Sequence, residues 1–197
     1  MTHTGAVPDG AARAAARSAL GLPLEAIIAL FVGDLRKGFD VALEAVRLTP
    51  GVRLAVVSHT TRGPLMDRVA GAGMLERVHW LGSLDRPAPA YAAADFLLHP
   101  SIYDSFGLVV AEAMAQGLPV VVTRSAGISE LITQGVSGWI AEGDPLRGTQ
   151  AAVEALAHDP LLRQQLGAGG RAVAARRTWD LVAEKTMMVY QEAMRHK

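Results

Sequence analysis

The chain has 197 residues, half of them hydrophobic, so it is long enough for one domain with a full core and too apolar to be disordered. Its 19 Lys and Arg residues balance 19 Asp and Glu residues, so no basic field indicates a nucleic-acid partner. The sequence lacks cysteine, a signal-peptide pattern and any apolar run of about 20 residues, which excludes disulfides and predicts a cytoplasmic protein without a transmembrane segment.

Six short apolar segments predict the strands of a buried sheet. Each has the length of a strand and few polar residues, as expected for strands that are covered on both faces. Two segments come before the first of these strands: residues 1–9 are a predicted linker, and residues 11–20 are a predicted Ala-rich helix. The predicted strands span residues 26–32, 52–57, 78–81, 95–99, 118–123 and 135–141.

Helical stripes of apolar residues separate the predicted strands. After the last strand the chain is predicted to be helical, with a break between helices at Gly167, Gly169 and Gly170. Strands that alternate with helices predict an α/β fold, a doubly wound parallel sheet of Rossmann-like type with right-handed crossovers. One predicted helix begins near residues 105–107 and ends at Gly117. The other predicted helices span residues 39–48, 65–72, 88–94, 126–132, 147–157, 160–166, 170–176 and 179–194.

One strand–turn–helix junction, HPSIYDSFGLVVAE over residues 99–112, carries most of the functional signal. In a parallel α/β sheet, such a junction lies at the carboxyl ends of the strands, where ligands bind. Its helix is predicted to begin near Ser105 to Gly107, so that free N–H groups and the positive dipole end face the crevice. Such an end binds anions, most often phosphate. Asp104 and Glu112 bracket this anion site.

The loop after the first strand, GDLRKG over residues 33–38, is predicted to face the same crevice. Arg36 and Lys37 would neutralise a phosphate-bearing ligand there. The loop is not a Gly-x-Gly-x-x-Gly turn, which argues against the alternative of a nicotinamide-dependent dehydrogenase. No Asp-x-Asp motif is present, and neither a metal nor a cofactor is expected.

Several stretches, in one order, resemble the C-terminal domain of retaining GT-B glycosyltransferases, in the group known as glycosyl transferases group 1 or family 4. The similarity extends over about residues 20–194 and implies a nucleotide-diphosphate sugar as the substrate. It also implies transfer of the sugar with retained configuration. The matching stretches are FVGDLRKGFDVALEAV (31–46), VHWLGSL (78–84), AAADFLLHPSIYDSFGLVVAEAMAQGLPVV (92–121), GISELI (127–132), GVSGWIAEGDP (135–145) and RRTWDLVAEKTMMVYQEAM (176–194).

This resemblance implies roles for the two acids and for the helix start. Asp104 and Glu112 keep the spacing of two family Glu residues, with Asp in the first place. The resemblance implies that Asp104 contacts the donor sugar and that Glu112 binds the ribose hydroxyls, which a carboxylate can accept as a pair. The backbone N–H groups that would hold the diphosphate and sugar hydroxyls belong to Ser105, Phe106, Gly107, Leu108 and Val109.

The same resemblance implies catalytic roles for Lys37, Arg36 and Asp104. Lys37 precedes Gly38 as in the family, whereas the family Arg usually follows the first Gly directly, where this chain has Asp34. Arg36 would then substitute from a shorter loop. Gly33 and Leu81 complete the implied binding site, and Leu81 would lie beside the base.

The resemblance also implies an enzyme with two Rossmann-like domains, of which this chain is the nucleotide-sugar half. Residues 1–20 are then a linker and N-terminal helix, residues 21–176 the binding domain, and residues 177–197 a helix that packs toward a missing N-terminal acceptor domain. Any peripheral membrane contact would belong to that absent half. We expect an expressed fragment that is inactive alone. The alternative is a non-catalytic nucleotide-sugar-binding module that acts with a separate chain.

Overall fold

The structure, a computed structural model, describes residues 7–195 except for the side chain of Pro64, so residues 1–6 of the predicted linker and residues 196–197 lie outside it. One parallel sheet has the strand order β3-β2-β1-β4-β5-β6. This confirms the predicted Rossmann-like fold. The strands are β1 (Ile27–Val32), β2 (Val52–Val57), β3 (Val78–Gly82), β4 (Phe96–His99), β5 (Val120–Thr123) and β6 (Trp139–Ala141).

Helices cover both faces of this sheet, as the alternation of elements predicts. The first two thirds of the chain also include one 3₁₀ turn, Gly127–Leu131. The helices are α1 (Gly10–Ala19), α2 (Phe39–Arg47), α3 (Arg62–Gly71), α4 (Ala88–Ala93), α5 (Leu108–Ala115), α6 (Pro145–His158), α7 (Pro160–Ala175) and α8 (Trp179–Arg195).

Strand β1 shows how the apolar runs form two cores. Ile28 and Leu30 point to one face of the sheet, while Ala29 and Phe31 point to the other, because successive strand side chains alternate. All four side chains are fully buried. The unbroken hydrophobic run therefore belongs to a central strand that is covered on both faces.

The sheet topology determines where a crevice forms. Strands β1 and β4 are neighbours, yet the chain runs outward from them in opposite directions, toward β3 and toward β6. At such a switch point the loops after the two strands diverge and leave a crevice at the carboxyl edge. The loops at this point are residues 33–38 and 100–107. These are the two loops that the sequence analysis predicts to face one crevice.

Helix α1 is attached to the domain through a buried ion pair. Arg17 Nη2 lies 2.8 Å from Asp95 Oδ2, and the two side chains are only 6% and 4% exposed. The same carboxylate oxygen accepts the N–H of Ile28 at 2.7 Å. Asp95 therefore links α1 to the beginnings of both central strands.

Three expectations about the C-terminal half are wrong. Helix α7 is continuous through Gly167 and Gly169, and the expected helix over residues 126–132 is only a 3₁₀ turn. The sixth strand is limited to three residues, Trp139–Ala141, because residues 133–137 form a turn in which Ser137 Oγ accepts the Thr133 N–H at 2.9 Å.

The glycines of α7 are contact positions, which explains why they do not end the helix. A Cβ atom at Gly167 would lie 2.2 Å from the carbonyl oxygen of Gly117, and one at Gly169 would lie 2.0 Å from that of Val136. Only a residue without Cβ lets the helix approach these loops so closely. The contacts outweigh the low helix propensity of glycine.

We expect Gly169→Ala to lower the free energy of unfolding by about 1–3 kcal/mol, because the added methyl group must displace backbone. The matched control is Gly71→Ala in α3, where a Cβ atom would meet nothing within 4 Å. That change should leave stability unchanged or raise it by up to about 1 kcal/mol. Urea denaturation of both variants measures the difference, and a neutral Gly169→Ala would refute the close-contact explanation.

Helix α8 has no buried residue, although it carries many apolar side chains. No helix in the described range 7–195 is long and apolar enough to span a membrane. The large exposed side chains of α8 are Trp179, Met187, Met188, Val189, Tyr190 and Met194.

Candidate functional site

A crevice lies between the loop after β1 and the loop that enters α5. Asp34, His59 and His99 line it together with most of the predicted binding residues. Residues from the two loops, which are about 70 positions apart in the sequence, thus share one surface. The predicted residues that line the crevice are Gly33, Lys37, Asp104, Ser105, Phe106, Gly107, Leu108 and Val109.

The N-terminus of α5 opens into this crevice. Gly107 precedes the helix with φ of 97°, a left-handed conformation that favours glycine. The N–H groups of Leu108 and Val109 have no acceptor among the described residues, since the first turn of a helix has no intrahelical partners. Free N–H groups and the helix dipole together make this end suited to an anion.

A close contact between Gly38 and Pro100 brings the two loops together. Gly38 has φ of 92°, and a Cβ atom there would lie 2.1 Å from the carbonyl oxygen of Pro100. The end of the first loop therefore packs directly on the beginning of the second. This contact brings Lys37 next to Asp104.

Asp104 is the centre of a polar cluster at the base of the crevice. Its Oδ2 atom lies 2.8 Å from Lys37 Nζ and 3.1 Å from His99 Nε2. Its Oδ1 atom accepts the N–H of Phe106 at 3.2 Å. Only Lys37, which is 43% exposed, extends from this cluster toward solvent.

The protonation states in the cluster follow from its contacts. Burial works against the charged form of Asp104, but hydrogen bonds from Lys37 and the Phe106 N–H keep its pKa below the usual value. Burial lowers the pKa of His99, and this outweighs the attraction of Asp104. A neutral His99 facing a carboxylate carries its proton on Nε2, and its buried Nδ1 has no partner among the described residues.

Arg36 does not line the crevice, contrary to expectation. Its guanidinium makes two hydrogen bonds to the Asp34 carboxylate, at 3.0 and 2.8 Å, and its side chain is 91% exposed. The short loop lets the side chain of Arg36 fold back onto Asp34 two residues earlier.

Leu81 and Glu112 also lie outside the crevice lining. Leu81 is partly buried and packs against the core. Glu112 lies one turn beyond the start of α5, and its Oε2 atom accepts a 2.8 Å hydrogen bond from the hydroxyl of Tyr91 on α4. Burial, followed by the charge of Glu112, raises the pKa of Tyr91 far above its usual value, so the hydroxyl remains a donor.

Sequence reasoning missed His99, which lines the crevice, and Tyr91, which donates to the predicted binding residue Glu112. His99 ends the strand that enters the central junction, and an imidazole at the carboxyl end of a central strand is a usable signal. Tyr91 lies in a short Ala-rich helix, and no feature of that segment indicates a partner 21 residues away. Among residues 7–195, no three or more His, Asp or Glu side chains are grouped so that they could hold a metal ion.

Comparison with known proteins identifies the family of this chain. The sequence model described as "Glycosyl transferases group 1" matches residues 26–159, more than half of the chain. A D-inositol 3-phosphate glycosyltransferase from Xylanimonas cellulosilytica is 38% identical over 208 residues, which cover 100% of this chain and 50% of that protein. The chain spans about half the length of the curated relatives it matches.

Solved structures agree with the fold. Sucrose-phosphate synthase from Thermosynechococcus elongatus superimposes with a TM-score of 0.83 at 27% identity, over 92% of this chain and 49% of that one. HepE from Anabaena, in complex with UDP and glucose, gives 0.82 at 21% identity, over 94% of this chain and 53% of that one. At the latter identity the match concerns the fold alone.

Proposed function

Because this chain belongs to the glycosyl transferases group 1 family, we propose that it is the C-terminal, nucleotide-sugar-binding half of a GT-B glycosyltransferase. In the proposed reaction, the bond between the sugar C1 and the diphosphate breaks, and a bond from C1 to an acceptor oxygen forms with retained configuration. The acceptor loses its hydroxyl proton, and the nucleoside diphosphate leaves with the bonding electrons.

The observation that carries this proposal is that Lys37 and the start of α5 line the same crevice. The unpaired N–H groups of Leu108 and Val109 and the ammonium of Lys37 line one crevice. Fixed donors of this kind stabilise charge as it develops on a leaving diphosphate. We propose that they perform this role without a divalent ion, because the two acids of the crevice, Asp34 and Asp104, are already paired with cations.

We propose distinct roles for the two acids that bracket the helix start. Asp104 orients Lys37, and the remaining lone pair of its Oδ1 atom accepts a hydroxyl of the donor sugar. Glu112 binds the ribose hydroxyls from the second turn of α5. Its hydrogen bond with Tyr91 holds the carboxylate in place while leaving Oε1 available.

We propose that helix α8 contacts an acceptor-binding half that completes the enzyme. Its row of exposed apolar side chains, including Met187, Met188 and Tyr190, supports this proposal, since such side chains lose contact with water in an interface. The 50% coverage of the inositol 3-phosphate relative also supports a second half.

Titration of the 197-residue chain with UDP, GDP, ADP and NAD tests the proposed function. We expect one of the diphosphates to bind weakly, with NAD binding no better, and no transfer from the corresponding nucleotide sugar. Half of the crevice wall is missing in this arrangement, so water is not excluded and no acceptor is positioned.

Three outcomes would contradict this account. Tight binding of NAD without diphosphate binding would favour a dehydrogenase, and robust transfer by this chain alone would refute the two-half arrangement. If an acceptor half added in trans strengthened nucleotide binding but never gave sugar transfer, the chain would be a non-catalytic binding module and not half of an enzyme.

Glu112→Ala should weaken binding of the preferred nucleoside diphosphate by about 1.5–3 kcal/mol, the usual range for hydrogen bonds to a charged group. The matched control is Glu154→Ala, which removes an exposed helical carboxylate from α6 and should not change affinity. Calorimetry measures both. A loss below about 0.5 kcal/mol, less than one ordinary hydrogen bond, would remove Glu112 from the site.

A further inference from the structure

The crevice contains a carboxylate that the proposed function does not use. Asp34 lines it beside Lys37 and the start of α5, and its side chain is 24% exposed. An acid here is unexpected on electrostatic grounds, because this surface would hold an anion. The side chain therefore needs an explanation that is separate from phosphate binding.

The position of the Asp34 carboxylate is fixed by the backbone. Its Oδ1 atom accepts the N–H of Arg36 at 2.8 Å, and its carbonyl oxygen accepts the N–H of Lys37 at 2.9 Å. These bonds close a tight turn directly after β1. The acid is thus held at the crevice, unlike a long side chain that turns freely in solvent.

The ion pair with Arg36 is oriented across the crevice rim. The acid lies in the lining, whereas the guanidinium is 91% exposed and lies outside it. Hydrogen bonds from Arg36 keep the pKa of Asp34 well below its usual range, so the carboxylate remains charged at neutral pH. A bound anion would therefore face the negative end of the pair.

The two acids that line the crevice, Asp34 and Asp104, are each paired with one cation, although Arg36 lies outside the lining. Lys37 is paired with Asp104 just as Arg36 is paired with Asp34, and the intervening His99 is neutral. With no net charge from these side chains, the attraction for phosphate depends on hydrogen bonds from Lys37 and the free N–H groups and on the helix dipole. Under this balance, one additional charge on the ligand changes its affinity measurably.

Sugar transfer produces such a change of charge. A nucleotide-diphosphate sugar carries about two negative charges, whereas the released nucleoside diphosphate carries about three, because its terminal phosphate has a second pKa near 6. For two charges about 6 Å apart in a solvated site, each additional charge on the ligand that interacts with a fixed acid is worth on the order of a fivefold change in affinity.

We propose that Asp34 is a specificity-determining residue that weakens binding of the leaving nucleoside diphosphate more than binding of the donor sugar nucleotide, and so favours product release. This inference rests on the proposed function. In this role Asp34 discriminates between two ligands of the same site. Arg36, which pairs with Asp34, reduces the repulsion enough for the donor to bind.

Asp34→Asn tests this proposal, because the amide keeps the turn to the Arg36 N–H and removes only the charge. Affinities are measured by calorimetry for UDP against UDP-glucose and for GDP against GDP-mannose. We expect UDP or GDP to bind at least about tenfold more tightly, and the diphosphate-to-donor affinity ratio to rise about three- to fivefold. Both effects should shrink at high salt.

The matched control is Glu44→Gln in α2, which breaks another pair in which Arg makes two hydrogen bonds to a carboxylate, and which changes the net charge equally. It should alter neither affinity nor ratio. Unchanged or weakened diphosphate binding in Asp34→Asn, or an unchanged diphosphate-to-donor affinity ratio, would overturn the proposal while leaving the proposed function intact. Absence of nucleotide binding in both the folded parent chain and the variant would instead contradict the proposed function, and this inference with it.

Discussion

Replacing Lys37 with Met should weaken nucleoside diphosphate binding by about 2–3 kcal/mol, roughly 30- to 150-fold, the largest effect on binding that we expect of any single change. The substitution would remove the charge-assisted hydrogen bond that we propose Lys37 makes to the diphosphate. It also leaves the Asp104 carboxylate, which is 8% exposed, without its cation and facing the anion. Calorimetric titration of the 197-residue chain measures the loss.

Two further variants separate the causes of this loss. Lys185→Met makes the same substitution on the exposed surface of α8 and should not change affinity. Combining Lys37→Met with Asp104→Asn should restore part of the affinity, because the uncompensated acid is then gone. If Lys37→Met binds nucleotide as the parent does, the crevice is not the phosphate site.

The largest effect on stability should come from Arg17→Met, with a loss of about 3–5 kcal/mol in the free energy of unfolding. The Asp95 carboxylate would remain buried after losing its principal partner. Arg17 also donates to the carbonyl oxygens of Ala93, at 2.9 Å, and Ala26, at 3.0 Å, so these acceptors would lose a donor as well. Urea denaturation measures this change.

Arg13 provides an internal comparison, since it contacts the same carboxylate from a more exposed position. Its side chain is 39% exposed, and its Nη1 atom lies 2.9 Å from Asp95 Oδ1. Arg13→Met should cost no more than about 1 kcal/mol, as is typical of exposed pairs. Equal losses in the two variants would show that burial of the Arg17 pair is not what stabilises α1 on the domain.

Much of the fold follows from local sequence patterns. The apolar run at residues 26–32 predicts a strand buried on both faces, and the alternation of such strands with helices predicts a parallel sheet. The junction at 99–112 predicts a helix start at the crevice because its glycine, polar turn and apolar stripe are adjacent in the sequence. These features depend on neighbouring residues, which a sequence displays directly.

Pairings between distant residues could not be predicted in the same way. Lys37 and Asp104 are 67 positions apart, and Arg17 and Asp95 are 78 apart, so only the folded chain shows that they meet. The Arg36 side chain could either pair with Asp34 or point into the crevice, and the amino-acid composition of the loop does not distinguish these two positions. Likewise, glycines that break an isolated helix allow close packing in α7, because the neighbouring loops determine the outcome.

The proposed function depends on the binding of a diphosphate by the first N–H groups of α5. Amide chemical shifts of the ¹⁵N-labelled chain, followed during titration with the diphosphate that binds, test this most directly. We expect the N–H signals of Leu108 and Val109 to move most, together with those of the loop at Lys37. Saturating nucleotide that shifts other regions while leaving Leu108 and Val109 unchanged would contradict it.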